Sequence, residues 1–193
     1  MKLILATNNQ HKVREMRQIL GNHFSEMITL KEAGIVHETV EDGNTFAENA
    51  LKKAREITEL TGLPALADDS GLCVEALNGA PGVFSARYAS LDGKDADDAA
   101  NRALLLKNME GVVDRRAYFA CAIALTMPDG KVYQTEARFY GEIGFEEKGE
   151  NGFGYDSLFF VPAYGMTSAE MSPEQKNAMS HRGEALRELE KQL

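Results

Sequence analysis

Residues 45–69 read TFAENALKKAREITELTGLPALADD, a capped helix followed by a stop and then by a strand. Thr45-Phe46-Ala47-Glu48 has capping-box form, in which the first side chain accepts from the backbone three residues on and the fourth reaches back. From there Phe46, Ala50, Leu51, Ala54, Ile57 and Leu60 recur at helical spacing and define an inner face, so the helix runs to about Thr61. Gly62 and Pro64 end it. Ala65 to Asp69 is then a strand of small residues that runs straight into two carboxylates.

The same grammar extends outward in both directions. Lys2 to Thr7 (KLILAT) is a short apolar run that reads as a buried strand, and Val13, Met16, Ile19 and Leu20 give a helix from His11 to Leu20. A third helix is expected from Asp95 to Met109. Arg116 to Met127 and Lys131 to Ile143 read as two long strands joined at the turn Pro128-Asp129-Gly130. Ser172-Pro173-Glu174-Gln175 is a second capping box with proline at the first helical position, opening a C-terminal helical region. Helices and strands that alternate early and close on a long hairpin imply an α/β fold with a mixed sheet. No repeat or linker divides the 193 residues, so the chain reads as one domain, 1–193, or as two intimately joined lobes.

Net charge is −9, which disfavours general attraction to nucleic acid or to anionic lipid. A small polyanion is compatible with that balance only if a bound cation and a few placed Lys and Arg residues receive it. Cys73 and Cys121 lie far apart and match no metal or redox spacing, so they read as reduced, buried thiols. MKLILATNNQHK carries an apolar run of only four residues, too short for a signal peptide or a membrane span. A cytoplasmic protein is expected.

Four places can carry chemistry. Thr7-Asn8-Asn9-Gln10-His11-Lys12 lies between the first strand and the first helix, where N–H groups at a helix start favour phosphate and Lys12 supplies countercharge. The loop has no glycine and is not a P-loop; an ordinary polar loop with a capping Asn is the plain alternative. Asp68 and Asp69 offer oxygen ligands to a hard divalent cation, and one can accept a proton from an attacking water. In an extended strand the two point to opposite faces, so at most one serves a given site unless the chain turns there. Asn151-Gly-Phe-Gly-Tyr-Asp156 sets Phe153 between glycines, where its face can stack on a base or simply fill the core ahead of the strand Ser157–Val161. Lys176 and Ser180-His181-Arg182-Gly183 place cations beside a glycine that suggests a break or a close approach. Lys53 and Arg87 are further basic candidates. The four histidines show no zinc-ligand spacing.

Taken together and in order, TNNQHK (7–12), EDGNTFAENALKKA (41–54), ADDSGLCVEALNGAPGVFSARYA (67–89), FGYD (153–156) and SHRGEAL (180–186) resemble the Ham1/RdgB-like family of inosine/xanthosine triphosphate pyrophosphatases over essentially the whole chain. The resemblance implies an elongated two-lobed α/β homodimer, with a central mixed sheet flanked by helices and a cleft between the lobes. It implies Mg²⁺-dependent hydrolysis of non-canonical purine nucleoside triphosphates (ITP, dITP, XTP) to the monophosphate and pyrophosphate. Carried over by motif, Thr7, Asn8, Asn9, Gln10, His11 and Lys12 would hold the phosphates, with Lys53 facing them. Asp69 would be metal ligand and proton acceptor, and Ser70 would touch the substrate. Phe153, Gly154, Tyr155 and Asp156 would surround base and sugar, and Lys176, His181 and Arg182 would read the base edge. Asn8 stands where many relatives have Gly. Val40 stands where some have Glu, so the second metal carboxylate is Glu41, with Glu38 and Asp68 behind it. A Maf-like pyrophosphatase on a similar fold and a non-catalytic nucleotide-binding regulator are the rival readings. The FGYD and SHRG motifs oppose the first, and the intact Asp69 and Lys12 oppose the second.

Overall fold

β1 (Lys2–Leu5) alternates its side chains between two different sets of partners, and this alternation organises the first part of the molecule. Leu3 and Leu5 join a core cluster with Val13, Met16 and Leu20 of α1 (Gln10–Leu20) and with Ala185, Leu186 and Leu189 of α5 (His181–Glu190). Ile4 turns the other way, onto Ile57 of α2 (Phe46–Thr61). The sheet here is therefore covered by α1 and α5 on one face and by α2 on the other. The computed structural model describes residues 1–179 and 181–193, and the side chains of all of these but 177–179; Ser180 of the SHRGEAL run lies outside the described residues.

The seven strands follow the order β2-β1-β3-β4-β5-β6-β7. β1 pairs in parallel with β2 (Glu26–Thr29) and β3 (Ala65–Val74), whereas β6 (Phe159–Val161) is antiparallel to β5 (Val132–Ile143) and to β7 (Met166–Thr167). The expected mixed α/β sheet is what forms. β4 (Arg116–Thr126) and β5 make the expected hairpin. Its turn is closed by the Met127 N–H donating to the Lys131 carbonyl at 2.9 Å, and Gly130 supplies the positive φ of 88° that the turn requires.

Several expectations need adjustment. β3 does not stop at Asp69 but continues to Val74, so the two carboxylates sit in mid-strand rather than at a strand end. α3 spans Asp98–Asn108, starting three residues later than expected. On α2, Leu51 is only half-buried and Leu60 is exposed, while Asn49 and Thr58 are buried. A helix α4 (Pro173–Met179) precedes α5, and Gly183, read as a break or a close approach, is buried in the first turn of α5.

The chain folds into two compact units, Met1–Asp69 with Cys121–Ala137 and His181–Leu193, and Ser70–Ala120 with Arg138–Ser180. The first is organised as above. The second has its own core, in which Leu72, Val74, Leu105, Tyr155, Leu158, Phe159 and Met171 pack together. No helix among the described residues is long and apolar enough to cross a membrane.

α2 is the best-terminated helix of the first unit. Thr45 Oγ1 accepts from the Glu48 N–H at 3.1 Å, and the Glu48 carboxylate accepts from the backbone N–H groups of Asn44 and Thr45. Gly62 closes the far end in the left-handed conformation, its N–H donating to Thr58. Thr45→Ala should cost about 1 kcal/mol and lower Tm by about 2–4 °C in a chain of this size; an unchanged melting curve would show that the box contributes nothing.

Candidate active site

Because the Ala65–Asp69 part of β3 is extended, its even residues face α1 and α5 and its odd residues face α2. Leu66 lies in the α1/α5 core and Ala65 in the α2 cluster, which fixes the phase. Asp68 and Asp69 continue the alternation and so enter two different environments, both within the first unit.

Asp68 is buried between cations. Its Oδ2 lies 2.9 Å from Lys12 Nζ and accepts from Arg182 Nε at 3.1 Å. Burial alone would push this carboxyl up, but Lys12, Arg182 and Lys53 outweigh it and hold the group well below the usual carboxylate range. Arg182 is itself buried, and its NH1 donates to Glu15 at 2.7 Å. Burial works against its charge, and Asp68, Cys121 and Glu15 together raise its pKa above the ordinary arginine value. Arg182, expected on the base edge, thus has its guanidinium on two carboxylates. His181 precedes it, half-buried at the start of α5.

Asp69 is less well compensated. Its Oδ2 accepts from Asn49 Nδ2 at 3.0 Å, and its Oδ1 lies 3.6 Å from Lys53 Nζ. Burial raises its pKa; Lys53 pulls it down, Glu41 adds to the rise, and Asn49 and Lys12 oppose it, with a net upward displacement. Lys53 also donates to Glu41 Oε1 at 2.8 Å. Burial would lower the lysine pKa, yet Asp69, Asp68 and Glu41 raise it, so the ammonium is held charged.

Asp69 and Glu41 therefore meet at one ammonium, a pair of hard oxygen donors with mutual repulsion. Among the described residues no group of three or more His, Cys, Asp or Glu side chains is arranged to hold a metal. Two carboxylates fit an ion such as Mg²⁺, which keeps waters and takes phosphate oxygens for its other positions. Asp68 is committed to Lys12 and Arg182 on the other face, and Glu38 is exposed.

The loop before α1 is ordered by its own side chains. Asn9 caps the helix, accepting from the His11 and Lys12 N–H groups at 3.0 and 3.3 Å. Thr7 Oγ1 accepts from the Asn9 N–H, Gln10 Nε2 donates to the Asn8 carbonyl, and Asn8 Oδ1 accepts from the Lys31 N–H. Asn8, Asn9, Gln10 and His11 are exposed, with Thr7 half-buried.

The second unit gathers the aromatic turn. Asp156 is buried and accepts from the Phe153 N–H at 2.9 Å, from Ser168 Oγ at 2.9 Å and from Lys176 Nζ at 2.5 Å. The Lys176 ammonium also stands 5.3 Å from the Phe153 ring centroid, and Phe153 is 42% exposed. A Cβ at Gly152 would collide with the Asp156 carboxylate and the Lys176 ammonium. Gly154 is clamped from α3: its N–H donates to Asp98 Oδ2 and its carbonyl accepts from Arg102 NH1, both at 2.9 Å. Tyr155 is a core residue whose hydroxyl donates to the Ser85 carbonyl, and burial pushes its phenol up. Ser70 follows Asp69 in β3 and is half-buried.

Reading the sequence alone missed Asn49, Asp98 and Arg102. Asn49 had a visible signal, since it falls on the buried stripe of α2 one turn before Lys53. Asp98 and Arg102 share one face of α3 at i, i+4, but nothing local says that they grip Gly154.

Known proteins share this chain's sequence and its fold. A model of the Ham1 family matches residues 3–192. A dITP/XTP pyrophosphatase from Desulforamulus reducens is 51% identical, covering 97% of this chain and 92% of its own. One from Burkholderia pseudomallei is 49% identical, with 97% and 91% covered. A HAM1 protein structure from Coxiella burnetii superposes with a TM-score of 0.90 at 44% identity, covering 99% of this chain and 97% of that one. A nucleoside-triphosphatase / dITP/XTP pyrophosphatase structure from Mycobacterium abscessus gives 0.81 at 43%, with 98% and 97% covered.

The Asp68 environment sets a pH signature. A carboxyl held below its unfolded value contributes stability that is complete above about pH 4 and is lost as pH falls through the folded value. Asp68→Asn leaves Lys12 and Arg182 facing a neutral amide and should cost about 3–5 kcal/mol at neutral pH. The gap from the parent should narrow steadily below about pH 4; a gap that widens on acidification would contradict the ionised pairing.

Proposed function

The chain belongs to the Ham1 family, and from that premise we propose that it hydrolyses non-canonical purine nucleoside triphosphates (ITP, dITP, XTP) to the nucleoside monophosphate and pyrophosphate. The observation that carries the catalytic part of this reading is the pair of carboxylates in β3 with unlike contacts, Asp68 on Lys12 and Arg182, Asp69 on Asn49 and a more distant Lys53. In this reading residues 1–193 act as a single catalytic domain, in the cytoplasm, as a homodimer.

Asp69 is the proton acceptor. A carboxylate whose pKa is raised by burial is a better base than an exposed one, provided it stays ionised, and the Asn49 hydrogen bond and Lys53 keep it so. The attacking water gives its proton to Asp69 as its oxygen bonds to the α-phosphorus, and the α–β anhydride bond breaks to release pyrophosphate. Asp69 and Glu41 would hold Mg²⁺, which supplies charge screening of the polyphosphate and of the charge that develops on the leaving group. Lys53 and Lys12 bring ammonium charge to the phosphates, and the Thr7–Lys12 loop offers backbone and amide donors at the start of α1.

Base recognition is assigned to the aromatic turn and its lysine. Phe153 stacks under any purine, Gly154 and Tyr155 shape the turn, and Asp156 fixes Lys176 beside the ring. Hypoxanthine and xanthine carry a 6-keto acceptor where adenine has an amino donor, so the Lys176 ammonium, a donor only, favours the keto form. Ser70 touches the substrate. We assign Arg182 to holding Asp68 and, through it, Lys12, in keeping with its buried pairing.

Pyrophosphate release from ITP with Mg²⁺ tests the activity directly. Asp69→Asn should lower kcat by about 10²–10⁴-fold with a smaller change in KM, and near-normal turnover at saturating Mg²⁺ would sink the assignment. The base contacts separate in a second experiment. Phe153→Ala should lower kcat/KM for ITP and ATP alike, by about 5- to 150-fold for a stacking contact of this kind. Lys176→Met should instead shrink the ITP-over-ATP ratio; the reverse pattern would show that stacking and edge reading have been exchanged.

A further inference from the structure

Residues 37–45, the segment that carries Glu41, are laid along α2 by a series of side-chain ties. Glu56 accepts from His37 and Thr39, Lys52 donates to Asp42, Lys53 donates to Glu41, and Glu48 accepts from the Asn44 and Thr45 N–H groups. One further tie differs in kind. Asn49 Oδ1 accepts from the Gly43 N–H at 2.8 Å, while its Nδ2 donates to Asp69 Oδ2 at 3.0 Å. We propose that Asn49 is a positioning residue that locks the Glu41 loop and the Asp69 carboxylate into one fixed arrangement; this rests on the roles given above to Asp69 and Glu41.

The chemistry leaves Asn49 little freedom. The Gly43 N–H can only donate, so the amide oxygen must face it and the NH₂ must face Asp69. That bond engages Asp69 Oδ2 and sets Oδ1 on the Lys53 side, toward the ammonium that Glu41 shares. Asn49 is fully buried, so it acts through Asp69 and the loop rather than by touching substrate. Lys53 also bridges Glu41 and Asp69, but by charge and at 3.6 Å from Asp69, which sets no orientation. Gly43 completes the fit. A Cβ there would stand 2.6 Å from Asn49 Oδ1 and 2.9 Å from Glu48 Cβ, so the loop backbone approaches α2 as closely as only glycine allows.

Two substitutions separate the two ends of the amide. Asn49→Asp keeps an oxygen for the Gly43 N–H but turns a second carboxylate on Asp69. Asn49→Ala removes both bonds. The measurements are hydrogen–deuterium exchange at the Gly43 amide in the metal-free protein, Tm, and kcat and KM for ITP with Mg²⁺, with Asp69→Asn as reference. For Asn49→Ala the Gly43 amide should exchange about 10-fold faster or more, and kcat should fall about 10-fold or more, as for loss of a hydrogen bond to a charged group. Asn49→Asp buries a second carboxylate beside Asp69 and should lower Tm, yet it should keep Gly43 protection while losing kcat at least as strongly, with KM moved far less, a split that a purely structural Asn would not give. Parental kcat in Asn49→Asp, or unchanged Gly43 exchange in Asn49→Ala, overturns the proposal. Should Asp69→Asn itself stay active, the reading of Asp69 fails first; Asn49 variants that stay active beside a dead Asp69→Asn remove only the role of Asn49.

Discussion

Two carboxylates in consecutive positions of a buried strand do not share a contact partner, because the pleat sends them to opposite faces, although Lys12 and Lys53 act on both through space. Each needs its own compensation, since an unpaired buried charge is costly. This constraint explains why polar groups are gathered where they are in the first unit. On the α1/α5 face, Lys12 from the start of α1 and Arg182 from the start of α5 converge on Asp68, and Glu15 takes the other end of the guanidinium. On the α2 face, Asn49 and Lys53, one turn apart on the same helix, meet Asp69. The compensation is unequal. Asp68 has two cations at contact distance, whereas Asp69 has a neutral amide and a more distant ammonium shared with Glu41. One group becomes a fixed anion that orders its surroundings, and the other is left with its pKa displaced upward by burial.

The elements that could be read from the sequence are those with local signatures. α2 announces itself by Thr45 and Glu48 at one end and Gly62 at the other, and the β4–β5 hairpin by Pro128-Asp129-Gly130. β2 and β7 carry too few apolar residues for a period to show, and they become strands only because β1 and β6 supply ladders for them. The run of β3 past Asp69 was hidden for a related reason: Asp-Asp-Ser-Gly looks like a turn, and the pairing that keeps it extended is not local. Within the site, residue types named the chemistry but not the pairings. The resemblance put Arg182 on the base edge and was silent on Asp68 and Glu15, which lie 114 and 167 residues away in sequence. Asn49 was not singled out at all, because nothing local shows that both of its hydrogen-bonding ends are used, on Gly43 and on Asp69.

The two units are built by different means. In the second, the FGYD turn is held chiefly by hydrogen bonds that end on one buried acceptor. Asp156 takes the Phe153 N–H, the Ser168 hydroxyl and Lys176, while Asp98 and Arg102 grip both backbone groups of Gly154. The result is a partly exposed aromatic ring with an ammonium held over it. Phe153 gains rigidity without being buried, which a packed core position would not allow.

Charge balance in the first unit then bears on how so acidic a protein receives a polyphosphate. Lys12, Lys53 and Arg182 are each already paired, and their partners are Asp68, Asp69, Glu41 and Glu15. With every group ionised, three cations face four carboxylates, so the cluster carries a net charge of minus one in a chain that carries −9 overall. Such a cluster would repel a triphosphate by itself. In the proposed reading, a dication held by Asp69 and Glu41 would reverse the local sign and offset the repulsion between those two carboxylates, leaving Lys53 available to the phosphates. Lys53 would then serve both to neutralise the two carboxylates and to bring charge to the polyphosphate. The orientation of Asp69 by Asn49 would matter for the same reason, because the oxygen that meets the cation has to be the same one each time.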